Sequence, residues 1–530
     1  MNVKYTLSIV MIVKNEAKNL MISLPALKDL ADEIIILDSG STDNSQDIAL
    51  QYGAKWFINT DWQGFGKQRQ LAQSYATGDW ILALDADEEI TPKLKNSILE
   101  AIKHKPDNTV YGIKRLDFVF GHCIDNPYWG VKAHWRLYPK HFNYDNNLVH
   151  ESVVLNNAQT KHLDGFLHHH TAETPLFWLG KRLDYAKAWA DNKHKNGKKG
   201  KFPKVILNPL WAFIKQYIID GRFLQGKYGL IYSLLFTQYT FNKYACLYDL
   251  SHNQADRAFL NSLEASKQLK PIELSHKKST LSLVMICKNE SKHLKACLDT
   301  VYDIVDEIII LDSGSTDNTK QIANEFGAKW YVNTNWQGFG KQRQLAQSYA
   351  TGDYILVLDA DERLEQELRV AIVNILNQPL QRNKVFSVAR VDSFCGIEIQ
   401  PKKWYTDKFA RLYSNQDFKY SNLEVHESLE QKGVPSQVLN GYLPHITNDN
   451  LHHFLLKNVR YSSDWANEKH QQGKQISIIG ILLRSWFSFV REYIIRLSIF
   501  GGAYGFIFAF ASLGYTMDKY IILWQMNQEK

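Results

Sequence analysis

Apolar positions in the first ninety residues fall into short runs separated by segments of helical spacing. Leu7–Val13 is apolar except for Ser8 and breaks off at Lys14-Asn15-Glu16, the pattern of a buried strand that runs into a loop. A secretory leader would carry a longer apolar stretch followed by small residues, so no signal peptide is expected here. Residues 18–30 are spaced as a helix, residues 33–37 as a second buried strand, and Ser41-Thr42-Asp43 supplies an N-cap signal for the next helix. Residues 56–58 form a short strand-like run, 68–76 a helix, and Trp80–Leu84 another apolar strand that ends at Asp85. This alternation predicts an α/β fold with a mostly parallel sheet covered on both faces. Ligands bind such sheets beyond the carboxyl ends of the strands, so Asp38 and Asp85 should converge on one crevice.

The pattern is written twice. Residues 32–87 realign without a gap on 306–361, at an offset of 274, with 45 of 56 positions identical. A period that long means two copies of a whole domain rather than a solenoid. The likeness weakens downstream but persists: Arg136-Leu137-Tyr138 returns as Arg411-Leu412-Tyr413, and Val149-His150-Glu151 as Val425-His426-Glu427. A polar, basic stretch holding Pro271 separates the copies. The expected organisation is a first domain over residues 1–268, a linker over 269–279 and a second domain over 280–530.

Composition narrows the class. The chain has 530 residues, 45% of them hydrophobic, which suits two or more cores and excludes disorder. Five cysteines, none in a CxxC pair, argue against a disulfide framework or zinc knuckle and for a reducing compartment. The formal charge of +7 suits an anionic substrate or membrane surface and does not require nucleic acid.

Candidate chemistry sits at the strand ends. Asp85-Ala86-Asp87 and Asp359-Ala360-Asp361 each close a buried strand and are followed by a further acid, Glu88 or Glu362. Paired carboxylates of this kind suit Mg²⁺ or Mn²⁺, which take oxygen ligands and leave positions for phosphate. Asp38 and Asp312 can accept hydrogen bonds from a base or ribose, whereas Asp43 and Asp317 read as stabilising a helix N-terminus. Gly64-Phe65-Gly66-Lys67-Gln68-Arg69 fails as a dinucleotide fingerprint, because Arg69 stands in the third glycine's place. Lys67 and Arg69, with Arg343 in the second copy, can face a diphosphate or solvent. Glu151 and Glu427 follow an aromatic, irregular region expected to form the far wall of the crevice, where a carboxylate can act as general base. His169 and His445, each 18 residues further on, can complete a metal shell or be structural.

These motifs resemble glycosyltransferase family 2, of GT-A fold, and within it the bacterial lipopolysaccharide and lipooligosaccharide core β-glucosyltransferases. VKNE (13–16), LDSGSTD (37–43), WQGFGKQR (62–69), ATGDWILALDADE (76–88), RLY (136–138), VHE (149–151) and the aromatic tail from Pro209 carry the resemblance, which covers nearly all of both copies. It implies two tandem GT-A domains, each with a C-terminal aromatic helical region. It also implies a metal-dependent, inverting transfer of glucose from UDP-glucose to the inner core of a lipid A–core glycolipid, one linkage per domain. Glu16 and Asp38 would contact uridine, Asp85 the ribose or metal, Asp87 the metal, and Glu151 would be the base. In the second copy these are Glu290, Asp312, Asp359, Asp361 and Glu427. The family's W-x-x-D before RLY is kept as Trp404 and Asp407, but Lys132 replaces the aspartate in the first copy, so the two acceptor walls should differ. The alternatives are one active copy beside a degenerate acceptor-binding copy, a non-catalytic scaffold, or transfer of another hexose to a different glycan.

Each copy ends in aromatic helical sequence. Leu210, Phe213, Ile214, Tyr217 and Ile218 follow helical spacing beside residues 193–204, which hold six lysines and no acid. That pairing suits an anionic membrane face. Residues 497–517 are uncharged and long enough to span, yet hold four glycines and two serines. The expectation is peripheral association with the cytoplasmic face of the bacterial inner membrane.

Overall fold

A computed structural model describes residues 5–127, 129, 131–147, 151–402, 406–421, 428–431, 433–448 and 450–528. The first copy runs β1 (Leu7–Val13), α1 (Ala17–Leu27), β2 (Glu33–Asp38), α2 (Ser45–Gln51), β3 (Lys55–Ile58), α3 (Phe65–Ser74), β4 (Trp80–Leu84), β5 (Glu88–Ile90), α4 (Pro92–Ala101), β6 (Thr109–Val119), β7 (His122–Cys123), β8 (Ala133–Pro139) and β9 (Gln159–Ala172). A helical tail follows, with α5 (Pro175–Lys195), α6 (Phe202–Phe213), α7 (Gly226–His252) and α8 (Ala255–Lys267). The second copy repeats the plan as β10 (Leu281–Cys287), α9 (Leu294–Leu298), β11 (Glu307–Asp312), α10 (Thr319–Glu325), β12 (Lys329–Val332), α11 (Phe339–Ser348), β13 (Tyr354–Val357), α12 (Gln366–Leu376), β14 (Val385–Phe394), β15 (Ile397–Glu398), β16 (Asp407–Ser414) and β17 (Ser436–Asn448). Its tail is α13 (Leu451–Gln471), α14 (Ile478–Val490) and α15 (Gly502–Met526).

Two mixed sheets, mostly parallel in their first halves, give two GT-A-like domains. The first sheet is ordered β3-β2-β1-β4-β8-β6-β9-β5 and the second β12-β11-β10-β13-β16-β14-β15, with β17 on β14. β3, β2, β1 and β4 are parallel neighbours, and their residues are apolar because helices cover both faces. The chain leaves β1 for β2 and β3, then returns to β4 on the other side of β1. That reversal opens a crevice at the carboxyl ends of β1, β2 and β4, where Glu16, Asp38 and Asp85 follow.

One local expectation needs correction. The helix after LDSGSTD begins at Ser45, not directly after Asp43, and Asn44 in the cap position makes no capping bond. Asp43 instead accepts from Ser45 N–H (3.1 Å) and Ala17 N–H (3.2 Å), so one carboxylate serves the starts of two helices. The region before Glu151 combines the strands β6, β7 and β8 with irregular segments, residues 140–147 among them. β6 escapes a periodicity reading because the face that carries Ile113 into the core turns polar at Arg115 and Asp117, while Lys114 on the other face is exposed, which breaks the alternation expected of a half-buried strand.

The two tails form one body. A shared core joins Trp178, Ile231 and Leu235 of the first copy to Ala466, Ile481 and Ile521 of the second. Another joins Val205, Phe241 and Leu247 to Leu451, Tyr504 and Ile507. Asp249 accepts from Leu451 N–H (2.9 Å) and the Tyr504 hydroxyl (3.1 Å). Residues 269–279 lie along the second domain, where the Lys270 carbonyl accepts from Arg369 (3.0 Å) and Ile272 and Leu274 pack on its core. Among the described residues, Ser498–Met526 is the one helical stretch long and apolar enough to cross a membrane, with a hydropathy of 1.3. In the fold, no residue from 503 to 527 is exposed, because α15 packs on α13, α14 and α7.

Within that bundle Asp518 is buried, with one oxygen accepting from Gln238 (2.9 Å) and the other without a hydrogen-bond partner. Burial raises its carboxyl to about 7. The folded chain therefore holds a proton that the unfolded chain releases at the ordinary carboxylate value. That contribution to stability is complete in acid and is lost as pH rises through about 7. Asp518→Asn, neutral throughout, should melt higher than the parent at pH 8, with the gap closing toward pH 5. Thermal melts at both pH values check this.

Candidate active site

Burial of charge organises each crevice. β4 ends at Leu84, and the turn after it is closed by Asp85 N–H donating to Glu88 Oε2 (3.0 Å). Asp85 then faces two guanidinium groups. Arg69 from α3 donates to one oxygen at 2.5 Å and Arg136 from β8 to the other at 2.7 Å. Arg69 reaches on to Glu151 (2.8 Å), and Arg136 to the fully buried Glu88 (2.8 Å). Arg115 on β6 stands 3.6 Å from Glu88 and 3.3 Å from Asp117. Asp117 Oδ1 is 2.8 Å from His169 Nδ1, and His169 Nε2 is 3.3 Å from Asp87. One run of alternating charge therefore connects Glu151 to Asp87.

Among the described residues the second copy repeats the part from Arg69 to Asp87 with different spacings. Arg343 and Arg411 hold Asp359 at 2.8 and 3.1 Å, and Arg411 also pairs with Glu362. Arg390 is 2.9 Å from Asp392, and His445 lies 2.7 Å from Asp392 and 3.3 Å from Asp361. Glu427 and Trp404 lie outside the described residues.

Register puts the histidine there. β9 pairs with β5 and β6 so that His169 lies across from both Glu88 and Asp117, and His445 lies across from Glu362 and Asp392 in the same way. Burial works against the imidazolium, but hydrogen bonds to Asp117 and Asp87 outweigh it and raise His169 to about 9; His445 is raised likewise. Burial also pushes Asp85 upward, yet Arg69 and Arg136 hold its carboxyl well below the ordinary range. Glu16 is raised by burial and by the charges of Asp87 and Asp85, and Glu290 to about 7 by burial, Asp361 and Asp359. Each crevice thus gathers Glu16, Asp85 and Asp87, or Glu290, Asp359 and Asp361, at one strand edge.

Other candidates are already engaged. Asp38 is 3% exposed and accepts from Ser41 N–H and Oγ in the turn that follows, as Asp312 does from Ser315. The guanidinium of Arg69, which the sequence pointed at a diphosphate or solvent, is 5% exposed and engaged by Asp85 and Glu151; Arg343 is buried beside Asp359. Lys67 is exposed. The glycines of WQGFGKQR have a packing role. A Cβ at Gly66 would lie 2.1 Å from Asp145 O, so only glycine lets α3 press against residues 145–147, the segment leading toward Glu151. Asp407, the wall residue that distinguishes the copies, is 3.3 Å from Arg496.

Sequence reasoning missed the roles of Arg136, Arg115 and Asp117. The signal was present: Arg115-Leu116-Asp117 returns as Arg390-Val391-Asp392, and RLY returns too. Alternate residues on a strand share a face, so a repeated R-x-D marks a polar face.

The donor set can be tested against a divalent cation. Among the described residues no group of three or more His, Cys, Asp or Glu side chains surrounds a common metal position. Asp87 and His169, however, present an oxygen and a nitrogen 3.3 Å apart, with Glu16 close by. Mg²⁺ commonly takes one or two protein ligands and completes its shell with substrate phosphate and water, and Mn²⁺ accepts imidazole. The residues fit such an ion.

Residues 8–151 and 282–418 match the family described as Glycosyl transferase family 2, one match in each copy and more than half of the chain together. An uncharacterized glycosyltransferase of Rickettsia prowazekii (strain Madrid E) is 30% identical over 256 residues, 46% of this chain and 87% of that protein. The lipopolysaccharide core biosynthesis glycosyltransferase LpsC of Rhizobium meliloti (strain 1021) is 27% identical over 221 residues, 41% of this chain and 81% of its own. Among solved structures, glucosyl-3-phosphoglycerate synthase from Mycobacterium tuberculosis, in complex with Mn²⁺, UDP and phosphoglyceric acid, is 21% identical. The match covers 25% of this chain and 47% of that one, with a TM-score of 0.18.

Two predictions follow from the geometry. Arg136→Met leaves Asp85 and Glu88 buried with a cation removed, and should destabilise the protein by about 3–5 kcal/mol in denaturant unfolding. Asp117→Asn with Asp392→Asn frees the two imidazoles to turn, and should weaken Mn²⁺ binding about 10–100-fold by direct titration. Unchanged affinity would show that the aspartates do not orient a metal-binding histidine.

Proposed function

Because the chain belongs to glycosyl transferase family 2, we propose that each of its two domains transfers one glucose from UDP-glucose, with inversion, to the inner core of a lipooligosaccharide. The observation that carries this reading is the charge network. It holds a carboxylate, Glu151, at one end of a buried run and the Asp87–His169 pair at the other, and the part of the run from Asp85 to Asp87 recurs among the described residues of the second domain as Asp359 to Asp361. Inversion by a single displacement needs a base behind the acceptor oxygen and positive charge on the departing diphosphate. Glu151 and Glu427 are the proposed bases, with Arg69 fixing the carboxylate of Glu151. Glu16, Asp38 and Asp85, with Glu290, Asp312 and Asp359, line the donor side, where uridine and ribose would lie. Asp87 with His169, and Asp361 with His445, would hold Mg²⁺ or Mn²⁺, which when bound neutralises the leaving diphosphate.

The lipopolysaccharide core relative supports the acceptor class. The five free cysteines support a cytoplasmic site of action. A second reading, different acceptors for the two domains, is favoured by their walls: Lys132 is exposed, while Asp407 is tied to Arg496.

Glu151→Gln and Glu427→Gln keep shape and remove a base, and each should lower transfer by its own domain about 10²–10⁴-fold. Linkage analysis of glycolipid from strains carrying each variant should show two different missing glucoses. A variant that makes parental glycan at the parental rate marks its domain as non-catalytic. Chelation should lower donor turnover by about 10²–10³, restored by Mn²⁺ or Mg²⁺, and full activity after EDTA treatment would refute the metal assignment.

A further inference from the structure

Large apolar side chains in solvent are concentrated in one part of the protein. Among the described residues, seventeen of thirty-seven such side chains lie within residues 207–224 and 479–500, which are the second helix of each tail and the turns after it. Scattered exposed apolar residues are ordinary, but a contiguous group marks an interaction face. The two segments correspond position by position. Trp211 and Phe487 are 57% and 59% exposed, Ile218 and Ile494 55% and 51%, Leu224 and Phe500 54% and 68%. The opposite side of α6, with Val205, Pro209 and Ala212, is buried on α7. The segments also adjoin. Phe506 on α15 packs on Phe202 at the start of α6 (5.7 Å), on Phe489 at the end of α14 and on Tyr493 in the turn after it (5.8 Å each).

Charge on this face has one sign. Within residues 201–225 and 477–502 the exposed ionic side chains are Lys201, Lys204, Lys215, Arg484 and Arg491. The two carboxylates are paired, Asp220 with Arg222 and Lys215, and the buried Glu492 with Arg491 and Arg496.

We infer that this composite face, built by both tails, seats the protein on an anionic lipid bilayer with its apolar side chains at the headgroup boundary. Its cationic rim and long apolar stripes match that surface, and α15 lies packed behind it rather than across the membrane. The face is also tied to both crevices. The Trp129 indole N–H donates to Ile219 O (2.8 Å), and Arg222 pairs with Asp125 (2.8 Å). Asp125 accepts from the N–H of Asp117, the partner of His169 (2.9 Å). In the second domain Arg496 ties the turn to Asp407. The inference rests on the proposed lipid-linked acceptor and deepens it: an acceptor anchored in the same leaflet meets both sites at the lipid surface.

The test is cosedimentation of the full chain with vesicles of phosphatidylcholine alone or mixed with phosphatidylglycerol. Binding should be at least about tenfold stronger to the anionic vesicles, and weakened but not abolished by high salt. Trp211→Glu with Phe487→Glu should lower partitioning by about tenfold or more, with an unchanged melting midpoint. Indifference of the parent to both vesicles overturns the inference, as does vesicle binding that survives both substitutions. If the parent self-associates instead and the double variant does not, the face joins two copies of this chain, and the inference also falls. Failure of the transfer reading would look different: vesicle binding intact, with no sugar passed to any glycolipid.

Discussion

Buried charge must be paired, and that constraint shapes both domains. Glu88 and Glu362 are wholly buried carboxylates, and each is tolerable only because an arginine from the RLY strand reaches it. Arg136 must then share itself with Asp85, Asp85 draws in Arg69, and Arg69 holds Glu151. On the other side Arg115, Asp117 and His169 carry the alternation to Asp87. The groups come from α3, the turn after β4, β5, β6, β8, β9 and the loop holding Glu151. A slip of one residue in any of these strands would turn a charge away from its partner into an apolar layer. The network therefore sets register as well as site geometry.

The tails give the duplication a structural meaning. Neither tail buries its apolar residues alone, since the cores around Ile231 and Ile507 each draw on both copies. α6 packs on α7 and α14 on α15, and each keeps an apolar side in solvent. Two crevices that diverged in sequence are thereby held in one body, each tied by hydrogen bonds to the exposed turns.

Divergence between the copies is compensated locally. In the first domain the cation of the exposed turn is Arg222 and its acid is Asp125; in the second the cation is Arg496 and the acid is Asp407. Both pairs anchor turn to wall, but from different positions. The exchange of Asp407 for Lys132 thus goes with a change in which acid anchors the turn.

Much of the α/β half was legible in the chain. Leu7–Val13 and Trp80–Leu84 appear as read, because strands buried on both faces must be apolar throughout. The repeat, the strand-end acids and the pairing of DxD with a distant histidine were legible as well, since identical spacing in two copies marks residues that act together. Only the tertiary structure decided which charges meet. Arg69 faces Asp85 and Glu151 across 16 and 82 residues of chain, and Asp117 meets His169 across 52. No local pattern encodes contacts of that separation, because β pairing and helix packing choose them. The tails show the same division. Their apolar spacing is visible in sequence, but a buried and an exposed apolar stripe look alike until packing assigns α15 to the interior and leaves Trp211 and Phe487 in solvent.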